Sequence, residues 1–189
     1  MQDLPDWYPF DDETKPAPMP LLRVQAFVNT RSLEDGIDLL DELDTGRAWL
    51  GDAGFASADA SLTGAELDHA REVREAIRAL IESERPDPTA LDTLRALGTS
   101  PRAAIAVAPD GKLSLDCPEE SDLADELFAL LLIIHGAQQD GSWRRLRVCA
   151  NDECAWVFYD RSRNQQGSWC DMAVCGNRLK NRRLRARRR

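Results

Sequence analysis

A mainly α-helical body with one β-hairpin, followed by a small cysteine-rich unit of hairpin and basic helix, is the fold this sequence predicts. Three observations point there. Apolar residues recur at helical spacing through most of the first 143 positions, with capping residues where the runs begin. Four of the five cysteines fall in two close pairs between residues 149 and 175. Charge changes sign near the same boundary: residues 1–143 hold 29 Asp/Glu against 11 Lys/Arg, whereas residues 144–189 hold 13 Lys/Arg against 4 acids. A length of 189 residues, with 43% apolar and 30% charged, suits one globular domain with a small appendage and excludes disorder throughout.

The expected division is a flexible acidic, proline-rich arm over 1–20, a helical domain over 21–143 and the cysteine unit over 144–189. In the arm, prolines at 5, 9, 16, 18 and 20 interrupt regular pairing, although Trp7, Tyr8 and Phe10 have a body to dock on. Leu21 to Thr30 is an apolar run whose period fits strand or helix. Ser32 is placed to cap a helix carrying Leu33, Ile37, Leu40 and Leu43. A short helix around 45–53 turns Trp49 and Leu50 inward. Thr63 and Glu66 form a capping box, flanked by Leu62 and Leu67, at the start of a helix with Ala70, Val73, Ile77, Leu80 and Ile81 on one face; it ends before Pro86. Thr89 to Leu97 is a short helix closed by Gly98. Segments 103–107 and 112–116 flank Pro109-Asp110-Gly111 and read as a hairpin. Ser121 opens a helix through Gly136 that is apolar around most of its circumference, so it is expected at the buried centre.

The cysteines read Cys149-x4-Cys154-x15-Cys170-x4-Cys175. A close pair across a tight turn supplies two adjacent corners of a tetrahedron, and two such pairs complete one Zn²⁺ site. The turn Ala150-Asn151-Asp152-Glu153 leaves N–H groups free to donate to sulfur. The spacer holds the apolar run 155–159 and a polar turn, enough for a hairpin between the half-sites. Four thiolates also suit an iron–sulfur cluster, and unligated cysteines are the plain alternative. A site of four cysteine ligands leaves no open position for water, so the expected metal is structural and the protein is not expected to be an enzyme.

Beyond Cys175 the chain is strongly basic. As a helix it would line up Arg178, Arg182, Arg185 and Arg189, with Asn177, Lys180 and Asn181 beside them. Arginine forks match phosphates and guanine edges, and asparagine matches adenine edges. Those seven residues are the candidate contacts to double-stranded DNA.

Cys149-x4-Cys154-Ala155-Trp156-Val157-Phe158-Tyr159-Asp160, Ser162-Arg163-Asn164 and Trp169-Cys170-x-Met172-x-x-Cys175-Gly176-Asn177-Arg178 together resemble the CGNR zinc finger. Phe27-Val28-Asn29-Thr30, Asp38-Leu39-Leu40, Ala48-Trp49-Leu50 and Ala70-x-x-Val73-Arg74-Glu75-Ala76-Ile77 resemble the ABATE-type domain of stress-induced transcription regulators. The resemblance implies zinc on the four cysteines, DNA binding by the C-terminal element and a transcriptional role. Ala26 and Ser168 stand where members often carry Asp and Arg, and the latter removes one positive charge near the metal.

The remaining candidates point to ordinary surface and core. His69 and His135 each lie alone on helices, Cys117 reads as a small apolar side chain, and no phosphate loop or nucleophile constellation is present. No stretch is long enough to span a membrane, and the N-terminus lacks the pattern of a secretory signal, so a cytoplasmic protein is expected. The resulting expectation is a DNA-binding transcriptional regulator whose N-terminal domain senses a small-molecule effector or forms a homodimer. The alternative is a zinc-stabilised module that docks protein or RNA without sequence-specific DNA binding.

Overall fold

The computed structural model describes residues 4–10, 13–56, 61–83, 85–99, 104–107, 109, 113–116 and 122–178. Five helices and three two-stranded antiparallel hairpins make up its regular elements: α1 (Leu21–Val28), β1 (Arg31–Ser32), β2 (Ile37–Asp38), α2 (Leu43–Asp52), α3 (Gly64–Glu82), α4 (Pro88–Gly98), β3 (Ala104–Val107), β4 (Leu113–Asp116), α5 (Leu123–Asp140), β5 (Leu146–Val148) and β6 (Val157–Tyr159). A 3₁₀ turn at Ser142–Arg145 leads from α5 into β5, and a single π-helical turn covers Met172–Gly176. Among the described residues no helix is long and apolar enough to cross a membrane.

Local signals place α3 where the sequence predicts it. Thr63 accepts from the Glu66 N–H and Glu66 reaches back to the Thr63 N–H, closing the capping box. In α5 the cap is Asp122, which accepts from the Asp125 N–H, and the helix runs on to Asp140. Leu123, Leu127, Leu130, Ile134 and Ala137 are buried along it, a single stripe at steps of three and four. Phe128, Leu131 and Ile133 are only partly covered, so α5 is not the centre. That place belongs to α1, where Leu21, Leu22, Val24, Gln25, Ala26, Phe27 and Val28 are all buried. Phe27 lies 5.3 Å from Phe55 and 6.4 Å from Trp49, ring centre to ring centre, which anchors α1 to the end of α2.

The helix expected after Ser32 is instead the β1–β2 hairpin. Ser32 pairs with Asp35, Gly36 turns the chain at φ +66°, and Leu39 N–H returns to the Thr30 carbonyl. The apolar spacing there misleads because Leu33 and Ile37 are exposed. What fixes the hairpin is Asp38, which receives both Nη atoms of Arg74 at 2.5 and 2.7 Å. Arg74 is buried and also reaches Thr30 Oγ1.

The described part of the arm is packed rather than loose. Glu13 accepts from Tyr8 Oη, Gln25 Nε2 and Trp156 Nε1 at 2.8–2.9 Å, and from the Lys15 N–H at 2.6 Å. Lys15 carries its ammonium to the Trp169 carbonyl and over the Phe158 ring, while its own carbonyl accepts from Tyr159 N–H. One short segment thus bonds to the body and to the cysteine unit together. The unit also shares the body's core: Leu146 and Val157 pack in the same cluster as Phe27 and Val73.

Candidate metal centre

Two knuckles carry the thiols. The first is the loop between β5 and β6, so the observed hairpin brackets the Cys149–Cys154 pair and does not lie between the half-sites as the spacer suggests. Cys149 N–H bonds to the Trp156 carbonyl, extending the ladder past Val148. The Asn151 carbonyl accepts from both Cys154 and Ala155 N–H groups, which curls the chain so the two sulfurs face each other. Ala155 takes a left-handed conformation at φ 49°, costing roughly 1–2 kcal/mol. Its carbonyl is held by Arg78 Nη1 at 2.5 Å, so α3 stabilises that turn.

The second knuckle is capped by Asp171, whose Oδ1 accepts from Val174 N–H and whose carbonyl accepts from Gly176 N–H. Gly176 is buried, and a Cβ there would come within 3.3 Å of Trp169 Cδ1 and 2.5 Å of Met172 Sδ. The glycine lets the backbone close over Trp169 and turns Cys175 inward. The Ala150 N–H to Ser168 carbonyl bond joins the two knuckles.

Cys149, Cys154, Cys170 and Cys175 converge so that all four Sγ atoms lie within 4.8 Å of one another. Two edges, Cys154–Cys170 and Cys170–Cys175, are 3.6 Å. Four thiolates around one zinc at about 2.3 Å stand about 3.8 Å apart, so this spacing fits a single tetrahedral ion. A multi-iron cluster places metal and sulfide between its thiolates and needs a wider cage. The electrostatics fit as well. Hydrogen bonds from Cys154 and Cys170, helped by the Asn151 and Cys170 N–H groups, pull the Cys149 thiol down to about 2. The same bonds push Cys154 up to about 12 and raise Cys170 further. Cys149 thus carries the negative charge, and Cys154 and Cys170 stay thiols until a cation replaces their protons.

In the sequence, Asn151 stands out only as part of a polar turn. It is almost fully buried, and its Nδ2 points at Cys175 Sγ from 3.8 Å, across to the opposite knuckle. Asn29 is legible only as part of the Phe27–Thr30 segment. Its amide bonds to both the N–H (2.9 Å) and the carbonyl (2.8 Å) of Val157, in the manner of an added strand. Gln25 bonds to the same carbonyl. Two remote polar residues in and just after an apolar helix carry no local signal for such a role.

Of the seven candidate DNA contacts, Asn177 and Arg178 are exposed at the end of the second knuckle. Asn177 Nδ2 bonds to the Ala173 carbonyl, and Arg178 pairs with Glu34 at 2.5 Å. Lys180, Asn181, Arg182, Arg185 and Arg189 lie outside the described residues, as does Cys117. His69 sits beside Glu72 on α3, and His135 is exposed on α5.

Residues 145–188 match the CGNR zinc finger, and residues 23–140 match ABATE, described as "Putative stress-induced transcription regulator". Among curated proteins none matches the chain. With both matches in the order the residues imply, and with four cysteines placed to hold one zinc ion, the chain belongs to the ABATE family and carries a CGNR zinc finger after the ABATE domain.

Proposed function

We propose that this protein is a DNA-binding transcription regulator in which a structural zinc knot presents the basic C-terminal end to duplex DNA. The observation that carries the reading is the short link from Cys175 to Arg178: the thiol knot sets where the basic segment departs. Zinc bound there supplies cross-linking of the two knuckles; with four thiolates it has no open position for catalysis, so the reading is of a protein that is not an enzyme. In this reading Arg178, Lys180, Arg182, Arg185 and Arg189 are the phosphate contacts, and Asn177 and Asn181 are the candidates for base edges. The ABATE domain senses a small effector or pairs two copies. Its direct bonds to the finger, from Asn29 and Gln25 to β6 and from Arg78 to the first knuckle, support the body as the regulator of the finger.

The test is to purify the chain without added metal, measure zinc and iron, and select duplexes from a random pool with and without chelator. One zinc per chain and chelator-sensitive enrichment of one motif are expected, and Cys170→Ser should abolish both. Retention of RNA or protein partners with no preference among duplexes would replace this reading with that of an interaction module.

A further inference from the structure

Arg178 opens the basic segment, yet its guanidinium is turned back onto the body. It meets Glu34 in the β1–β2 turn, 144 residues earlier in the chain. The pair sits at a cavity of about 500 Å³ between arm, body and finger, lined by Glu13, Glu34, Asp35, Asp171 and Trp156 as well as Arg178. Four carboxylates and one guanidinium thus line the same cavity, and Glu34 is the carboxylate that meets the guanidinium. Three of the thiols also border this cavity, and a Zn²⁺ on four thiolates carries a further −2. A phosphate approaching Arg178 from this side would enter a negative field and find its partner already occupied.

We propose that the Glu34–Arg178 contact is an autoinhibitory latch, in which the body's first hairpin withholds the leading arginine of the finger from polyanions. The inference rests on reading Arg178 as a nucleic-acid contact. The latch is weak by construction. Side-chain exposures of 53% for Arg178 and 34% for Glu34 put the pair among solvent-screened ion pairs, strong enough to bias the equilibrium and weak enough to open. Both ends are held: Ser32 and Asp35 brace the turn bearing Glu34, and the Asn177–Ala173 bond braces the residue before Arg178. Opening the latch moves one side chain and leaves the metal knot intact.

The experiment uses the full zinc-loaded chain as wild type, Glu34→Gln, Arg178→Gln and the double variant, with equal zinc content checked for each. Binding to a labelled random-sequence duplex is followed by anisotropy from about 50 mM salt upward. Glu34→Gln should tighten binding roughly two- to five-fold at low salt, with the gain fading as salt rises. In the Arg178→Gln background the same change should have no effect. An unchanged affinity, or an equal gain with and without Arg178, overturns the latch, the latter showing only a change of overall charge. Elution from a heparin column separates this from the DNA reading. If none of the chains binds duplex, DNA recognition fails, and later elution of Glu34→Gln only when Arg178 is present still upholds the latch. Unshifted elution then removes the latch too.

Discussion

At the scale of single residues, Asn151 is the side chain whose environment asks most for explanation. Its Oδ1 is buried and has no hydrogen-bond partner among the described residues, while its Nδ2 faces Cys175. A buried unpaired acceptor costs about 1–3 kcal/mol. Turning the amide over would put oxygen against sulfur, which is worse once that sulfur is a metal-bound thiolate. The arrangement is therefore built for the loaded site. Asn151→Ala should lower zinc affinity by about 10–100-fold, measured by competition with a chelator of known affinity, and Asn151→Asp should lower it further. Unchanged affinity in the alanine variant would reduce Asn151 to a turn residue. The four cysteines were legible because metal geometry restricts both residue type and spacing. Asn151 was not, because an asparagine in a polar turn is ordinary until the opposite knuckle comes into view.

At the scale of elements, the tie between α3 and the β1–β2 hairpin decides the local fold. Burial raises the Asp38 carboxyl, but the hydrogen bonds and charge of Arg74, with the Leu40 N–H and Arg31, outweigh that and hold it below the usual carboxylate range. A carboxylate depressed in the folded state adds stability above its unfolded value of about 3.9, and that stability is lost as pH falls through the folded value. Asp38→Ala leaves Arg74 buried, with the partly exposed Glu75 and the neutral Thr30 hydroxyl beside it. Its cost at pH 7 should be near the low end of the range for stranded buried charges, about 3 kcal/mol. Thermal unfolding from pH 7 to pH 2 should show the gap between wild type and variant closing below about pH 4. The difference isolates Asp38, since every other titrating group is common to the two chains. A gap that stays constant would mean the carboxylate charge is not what Arg74 needs. The capping box of α3 lies within four consecutive residues and is read directly, whereas at α5 the sequence points to Ser121 and the cap is its neighbour Asp122. The Ser32 hairpin could not be read this way, because its partner is Arg74 on a helix more than thirty positions later.

At the scale of the whole molecule, finger and body behave as one packed unit. Val157 in the finger's hairpin lies in the core with Phe27, and Asn29 satisfies both of its backbone groups. The arm adds a third set of bonds through Glu13 and Lys15. Metal removal should therefore destabilise the entire chain in a single step. A metal held at a thousand times its Kd contributes about 4 kcal/mol. For a chain of this size, that corresponds to a fall of roughly 8–16 °C in Tm on adding chelator. Calorimetry should show one transition before and after. Two separated transitions after chelation would mean that the knuckles melt alone. For the same reason, residues 144–189 cut from the body are a poor reagent for DNA binding, since the cut exposes Leu146 and Val157.

What depends on near neighbours or on strict chemistry was legible along the chain: four of the five helices, the Thr63 cap, the hairpin near Pro109, the tetrahedral thiol set and the basic end. Local hydrogen bonds and ligand stereochemistry leave their pattern in short stretches of chain. That α1 and not α5 is the centre, that the arm clasps the finger and that Arg178 faces Glu34 came to light with the folded chain. Each of these joins residues far apart along the chain, where burial and ion pairing depend on which surfaces meet once the body has closed around its core.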